Sequence, residues 1–195
     1  TRILVGTQMI AKGLDFPRVT LVGVVAADMT LNLPDYRARE RTFQLLTQVA
    51  GRAGRGNLPG QVFIQTYKPE DPVIQAAARQ DYRSFFEEEF SRRRTGLYPP
   101  FTLLARLLVE GREDQRAQER ARALYNACRA LLAQHPPWRK RALLLRLDAA
   151  PVKFLRGKSR YQVLFKLFVH PDTDAFLGEV SRLAQEKSEG TDTWF

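Results

Sequence analysis

The sequence predicts an α/β fold followed by an α+β domain, on three observations. The run Thr20-Leu21-Val22-Gly23-Val24-Val25-Ala26 is continuously apolar, as a strand buried in a parallel sheet is. An amphipathic run from Arg37 and a second strand-like segment, Gln61-Val62-Phe63-Ile64-Gln65-Thr66, follow it, so strand and helix alternate. Past Tyr98-Pro99-Pro100, which breaks the chain, the rhythm becomes β-α-β-β-α-β, the order of a ferredoxin-like split unit.

Each element has its own signal. Ile3-Leu4-Val5 reads as a short buried strand, so the chain is expected to begin in mid-domain. The first long helix should run from about Arg37 to Ala53 with Asp35 as its N-terminal cap. From about Pro69 to Arg94 the pattern is helical, and we read it as a bridge. Its clusters Glu87-Glu88-Glu89 and Arg92-Arg93-Arg94 are expected to be mostly solvated, with helical pairs worth a few tenths of a kcal/mol each. In the second domain, 101–110 is strand-like and 113–134 is a long helix with Tyr125 and Cys128 on its apolar stripe. Strands are expected over 142–147 and 161–169, joined by a basic loop around 151–160. A helix over 172–187 follows, capped by Asp172 or Thr173, and Thr193-Trp194-Phe195 reads as a last strand. The domains expected are therefore 1–68, a bridging segment 69–97, and 98–195.

Composition bounds the function. At 195 residues one or two domains can bury an ordinary core. No apolar run approaches the roughly 20 residues that span a bilayer, and Thr1 to Gly6 has no signal-peptide pattern. Cys128 is the one cysteine, so an internal disulfide or a cysteine-built zinc site is impossible within this chain, and a reducing cytoplasm fits. His135, before Pro136-Pro137, and His170, before a helix cap, have no catalytic neighbour and read as structural.

The net charge of +10 points to an anionic partner. Between Trp138 and Lys166 stand Arg139, Lys140, Arg141, Arg146, Lys153, Arg156, Lys158, Arg160 and Lys166, opposed within that span by Asp148 alone. Such clusters attract phosphate backbones through counterion release, although a solvated basic face has the same composition. Membrane binding fits less well, because these residues fall on strand-like and loop segments rather than on an amphipathic helix. Trp138, Phe154 and Tyr161 interleave with the cations, and aromatics so placed either stack unpaired bases or belong to the core.

The sharpest chemistry lies in Gln48-Val49-Ala50-Gly51-Arg52-Ala53-Gly54-Arg55-Gly56. If the preceding helix continues, Gln48, Arg52 and Arg55 share one face. Glycines remove side-chain bulk, and a guanidinium presents forked, permanently charged donors that suit phosphate oxygens. That is the equipment of an arginine finger, which stabilises charge on a transferring phosphoryl group. The alternative is a basic helix end with a glycine stop.

Gln48 to Arg55 resembles motif VI of superfamily 2 helicases, and Gly6-Thr7-Gln8-Met9-Ile10-Ala11-Lys12-Gly13-Leu14-Asp15-Phe16-Pro17 resembles their motif V. With the segment from Asp28 to Arg41, these motifs are similar to the primosomal protein N′ (PriA) family, helicases that restart stalled bacterial replication forks. Arg94 to Phe101 and Arg156 to Gln162 are similar to the C-terminal region of that family. The resemblance implies that the first part ends a RecA-like second helicase lobe. It further implies that Thr7 holds a DNA phosphate, that Gly13 and Asp15 approach ATP, and that Gln48 and Arg52 contact the nucleotide. Arg55 would reach the γ-phosphate across the cleft between lobes. Turn capping after a strand would also account for Thr7 and Asp15, and Lys12 could reach either ligand. Asp35, Arg37, Glu40 and Arg41 read as a lobe-internal salt network, with Arg37 also able to face DNA.

The chain contains neither a G-x-x-x-x-G-K-S/T phosphate loop nor an acidic magnesium motif. It is therefore expected to carry half of a composite site for ATP and Mg²⁺ and not to hydrolyse ATP by itself. The resemblance places the paired-cysteine zinc region upstream too. In the second domain it implies binding of forked and single-stranded DNA, assigned here to Arg156, Lys158 and Arg160, and contact with single-stranded-DNA-binding protein and other primosome proteins. The family's Gly-Pro before this segment is replaced by Asp148-Ala149-Ala150-Pro151. A cytoplasmic, nucleoid-associated bacterial helicase is the expectation, and a PriA-like fork-binding scaffold without ATPase activity is the alternative.

Overall fold

The structure, a computed structural model, describes residues 3–7, 19–51, 53 and 59–186. Two compact units make it up, Thr1–Arg92 and Arg93–Phe195.

In the first unit β1 (Leu21–Val24) lies parallel to β2 (Gln61–Ile64), with Val22 opposite Val62 and Val24 opposite Ile64. Around the pair are α1 (Asp28–Leu31), α2 (Ala38–Ala50), α3 (Pro72–Ala78) and α4 (Tyr82–Thr95). The pair is parallel as expected, but β1 is not buried on both faces. Val24 and Ile64 pack on the core, whereas Leu21 and Phe63 are about 60% exposed. Period-2 alternation puts neighbouring side chains on opposite faces, and the helices cover one of them. Ile3, Leu4 and Val5 are exposed and form no strand. An apolar triplet becomes a strand only where a sheet edge receives it, and β1 pairs with β2 alone among the described residues.

Helix α2 buries Ala38, Thr42, Phe43 and Leu46, one face at helical spacing. That face meets Val73, Ile74 and Ala77 of α3 and Phe85 of α4, with the Phe43 and Phe85 rings stacked at 4.2 Å. Asp35 does not occupy the N-cap position, which is Arg37; instead its carboxylate accepts the Arg37 amide at 2.9 Å, two residues along. The helical run expected over 69–94 is divided in two. Gln80 adopts φ 55°, and Asp81 then accepts the Ser84 amide at 3.0 Å and its hydroxyl at 2.6 Å, which starts α4 afresh. Asp71 caps α3 through the Val73 amide at 2.9 Å, with Pro72 in the first turn.

The second unit contains β3 (Thr102–Gly111), α5 (Asp114–Gln134), α6 (Pro136–Arg141), β4 (Ala142–Leu155), β5 (Lys158–Phe168) and α7 (Asp172–Glu186). The strands lie in the order β3-β5-β4, with β5 antiparallel to both neighbours. One face carries Val109, Tyr161, Val163, Phe165 and Leu167 against Ala121, Leu124 and Cys128 of α5 and Phe176 and Val180 of α7. At Gly111 a Cβ would stand 3.1 Å from the Cβ of Ala117, so glycine permits the close approach of α5 to β3. The opposite face carries the row Arg106, Leu164 and Arg146, taken across the register.

One helix here was not expected, and one expectation changes. The residues after His135 form the short helix α6, for which Pro136 and Pro137 supply the first turn. The basic loop expected over 151–160 is instead the end of a long hairpin. Four residues of β4, 150–153, stand opposite the single Arg160, and pairing then resumes at Phe154 opposite Ser159 and Leu155 opposite Lys158. Pro151 sits in that bulge, where its missing amide interrupts no ladder. The last strand expected at 193–195 lies outside the described residues.

Candidate functional site

Gln48 is exposed near the end of α2, and the helical turn carries on past it. The Gly51 amide donates to the Thr47 carbonyl at 3.0 Å, and the Ala53 amide to that of Ala50 at 3.2 Å. Gln48 and Thr7 are both exposed among the described residues, whereas Gly13, Asp15, Arg52 and Arg55 lie outside them.

The seat of α2 is described in full. Arg39 reaches Glu88 at 2.7 Å, Asp71 at 3.3 Å and Glu89 at 3.8 Å, tying α2 to the starts and faces of α3 and α4. Glu89 is 6% exposed, and Arg92 holds it with two hydrogen bonds of 3.0 and 3.1 Å while donating a further one to the Tyr36 carbonyl. The charges of α4 are thus not all solvated: Glu89 is a buried member of an ion-pair cluster. Before α2, Asp35 pairs with Arg41 at 2.8 Å and Arg37 at 3.4 Å, so these three residues do form an internal network. Asp28, after β1, accepts the Thr66 hydroxyl and, at 2.7 Å, the Tyr67 amide, closing the end of β1 onto the end of β2. The hydroxyl of Thr66, then the amide of Tyr67, holds the Asp28 carboxyl below its ordinary acidity range.

In the second unit the basic residues sort into two sets. Arg160 pairs with Glu110 at 2.8 Å, Lys153 with Asp114 at 3.4 Å, Arg141 with Asp172 at 3.8 Å and Arg146 with Asp148. Lys166 donates to the Gly96 carbonyl at 2.9 Å beneath the Tyr98 ring. Carboxylates distant in sequence therefore answer much of the cluster. Arg139, Lys140, Arg156 and Lys158 make no ion pair among the described residues. Of the three candidates, Arg156 and Lys158 are brought together at the hairpin turn, while Arg160 is committed to Glu110 further along β5.

The aromatics separate as cleanly. Tyr161 is buried, with its hydroxyl 3.0 Å from Asp114, and Trp138 packs on Phe176. Phe154 is 65% exposed. Asp114 starts α5, and the hydroxyls of Ser159 and Tyr161 and the charge of Lys153 hold its carboxyl below the ordinary range. The hairpin is thereby fastened to α5 just below its tip. At the tip Arg156 (φ 51°) and Gly157 (φ 75°) form a two-residue turn with both dihedrals positive, as a type I′ turn requires. The left-handed backbone at an arginine costs about 1 kcal/mol relative to glycine.

No group of three or more His, Cys, Asp or Glu among the described residues is placed to hold a metal ion. No helix among them is long and apolar enough to cross a membrane.

The arrangement defines a two-unit α/β protein, with an exposed glutamine-and-glycine helix end in one unit and a basic hairpin in the other. No family model matches it. It is similar to curated proteins named replication restart protein PriA: 43% identical to that of Bacillus subtilis (strain 168) over 91% of this chain and 21% of the relative. The Synechocystis sp. (strain ATCC 27184 / PCC 6803 / Kazusa) relative is 46% identical over 82% of this chain and 18% of its own length, and that of Chlamydia pneumoniae 44% over 84% and 21%. The chain belongs to the PriA family of replication restart proteins, and it spans about a fifth of the length of these relatives.

Proposed function

We propose that this chain is the C-terminal region of an ATP-dependent DNA helicase that recognises forked DNA and restarts stalled replication through primosome assembly. What carries the reading is the Q-x-x-G-R-x-G-R sequence at the end of a firmly seated α2, in a chain similar along most of its length to replication restart proteins.

Residues 1–68 end a RecA-like lobe, 69–97 lead out of it, and 98–195 form a ferredoxin-like DNA-binding domain. The parallel β1–β2 pair and the order β3-β5-β4 support those two assignments. Open α/β sheets bind ligands beyond the carboxyl ends of their strands, where Thr7, Gly13, Asp15 and the residues after α2 can converge. Gln48 fits a nucleotide there, since its exposed carboxamide both donates and accepts hydrogen bonds. Arg52 contacts the nucleotide, Arg55 meets the charge developing on the transferring phosphoryl group, and Gly13 and Asp15 border the same pocket. Thr7 grips a DNA phosphate, a contact that reads no sequence and suits a translocating enzyme. ATP with Mg²⁺, bound together with an upstream lobe, would supply the free energy of lobe closure, and the zinc region belongs upstream of these residues as well.

Arg156 and Lys158 contribute phosphate contacts in the second unit, and Arg160 supports their strand from its pair with Glu110. Partners are single-stranded and forked DNA, single-stranded-DNA-binding protein and other primosome proteins, in the bacterial cytoplasm at the nucleoid. The test is ATP-driven displacement of a labelled strand from a forked duplex by the complete protein, alongside fork affinity at several salt concentrations. The reading expects displacement, with log affinity falling linearly against log salt. Fork binding without displacement would favour a scaffold that has lost its motor.

A further inference from the structure

The β4–β5 hairpin ends in a surface that the protein's own core does not use. Residues 151–157 are all exposed, Phe154 at 65% and Leu155 at 45%. Phe154 stands beside a turn whose two cations, Arg156 and Lys158, make no ion pair among the described residues, although Lys153 and Arg160 nearby are both paired. Charge left unneutralised at one end of the hairpin, next to a bare aromatic ring, is complementary to a polyanion that also offers flat apolar faces. Duplex DNA buries its base faces in the stack, so a single strand meets both requirements.

A second observation concerns the backbone. Arg156 occupies the first position of a turn in which both residues have positive φ, a place that glycine, asparagine or aspartate fills without strain. Strained backbone at a long cationic side chain is a mark of a functional position. The tip is also fixed in direction. Lys153 and Tyr161 both bond to Asp114 at the start of α5, so the hairpin is clamped below the turn while the turn itself stays open.

We infer that the hairpin tip is a base-stacking site for single-stranded DNA, in which the Phe154 ring packs on an unpaired base while Arg156 and Lys158 hold the phosphates on either side of it. The inference rests on the DNA-binding reading of the second unit and adds its contact point. No sequence is read, because every base presents a π-face.

The test uses the complete protein and an oligonucleotide with one 5-iodouracil, either in a single-stranded arm or inside a blunt duplex. Long-wavelength irradiation followed by mass spectrometry should map a crosslink from the single-stranded probe to the peptide holding Phe154. Phe154→Ala should abolish that crosslink and weaken single-strand affinity about tenfold, while Phe154→Trp retains both. Arg156→Gln should lower the slope of log affinity against log salt by about 1. Phe154 lies outside the core, so the alanine variant tests contact rather than folding. Unchanged affinity and no crosslink at the tip in Phe154→Ala and wild type alike, with salt-dependent DNA binding retained, would overturn this inference and leave the DNA-binding reading standing. An affinity that is flat in salt would overturn both. A crosslink from the duplex probe as strong as from the single strand would contradict the stacking of unpaired bases.

Discussion

Arg156 sits at φ 51° in the hairpin turn, and the side chain there is the one feature that glycine would not supply. Arg156→Gly should therefore raise the unfolding free energy of the second unit by about 1 kcal/mol, read by urea titration, while single-strand affinity falls. A gain in stability with affinity unchanged would show that the guanidinium contacts nothing. Asp28 makes a different kind of prediction. Its carboxyl is held below the ordinary value of about 4 by the Thr66 hydroxyl and the Tyr67 amide, so it stabilises the first unit fully above that value. The contribution is lost as pH falls through the lower folded-state value. Urea midpoints measured from pH 7 down to pH 3 should decline less steeply in Asp28→Asn than in wild type. At this scale the sequence offered types without partners. It placed Phe154, Tyr161 and Trp138 among the cations, but strand parity alone could not separate them. The bulge at 150–153 shifts the parity of β4 and sets Phe154 opposite Ser159, on the face of Tyr161. Yet at the hairpin tip, where residues 151–157 are all exposed, Phe154 stays outside the core.

Helix α2 shows what a periodic pattern can and cannot convey. Its range was legible to within a few residues because Ala38, Thr42 and Leu46 recur at helical spacing and bury one face. The break between α3 and α4 was not, since Asp81 and Ser84 look like ordinary polar residues until the capping bonds are seen. Glu89 was hidden for a related reason: nothing in Glu87-Glu88-Glu89 says which carboxylate turns inward. The two exposures set very different magnitudes. Glu87 and Arg83 are exposed, and their pair is worth about 0.5 kcal/mol or less. Glu89 is buried between Arg92 and Arg39, so Glu89→Leu should cost about 2 kcal/mol, read as a lower urea midpoint, with Glu87→Ala near neutral as the control. Equal effects would mean that the cluster does not fasten α2. Among the strands, β4 was read too short because Asp148-Ala149-Ala150-Pro151 favours loops locally, yet pairing with β5 holds Asp148 and Ala149 and resumes at Phe154 beyond the bulge.

For the molecule as a whole, the sequence changes rhythm at Tyr98-Pro99-Pro100, and the compact units part at Arg92 and Arg93. The net charge of +10 overstated the free basic surface, because Glu110, Asp114 and Asp172 return from distant positions to neutralise Arg160, Lys153 and Arg141. Arg156 and Lys158 at the hairpin turn and Arg139 and Lys140 on α6 are among the cations left without an ion pair among the described residues. Identity in the first unit came from motif rather than from fold, since the two short parallel strands and four helices among its described residues are common to many α/β proteins. On the proposed function, the arginines after α2 serve a phosphoryl-transfer site shared with an upstream lobe. The most direct test of that role is DNA-stimulated ATP hydrolysis by the complete protein, wild type against Arg55→Ala. A DNA-dependent rate should appear in the wild type and fall in the variant by about 10³-fold or more. Hydrolysis at the wild-type rate in the variant, or none in either protein, would contradict that role.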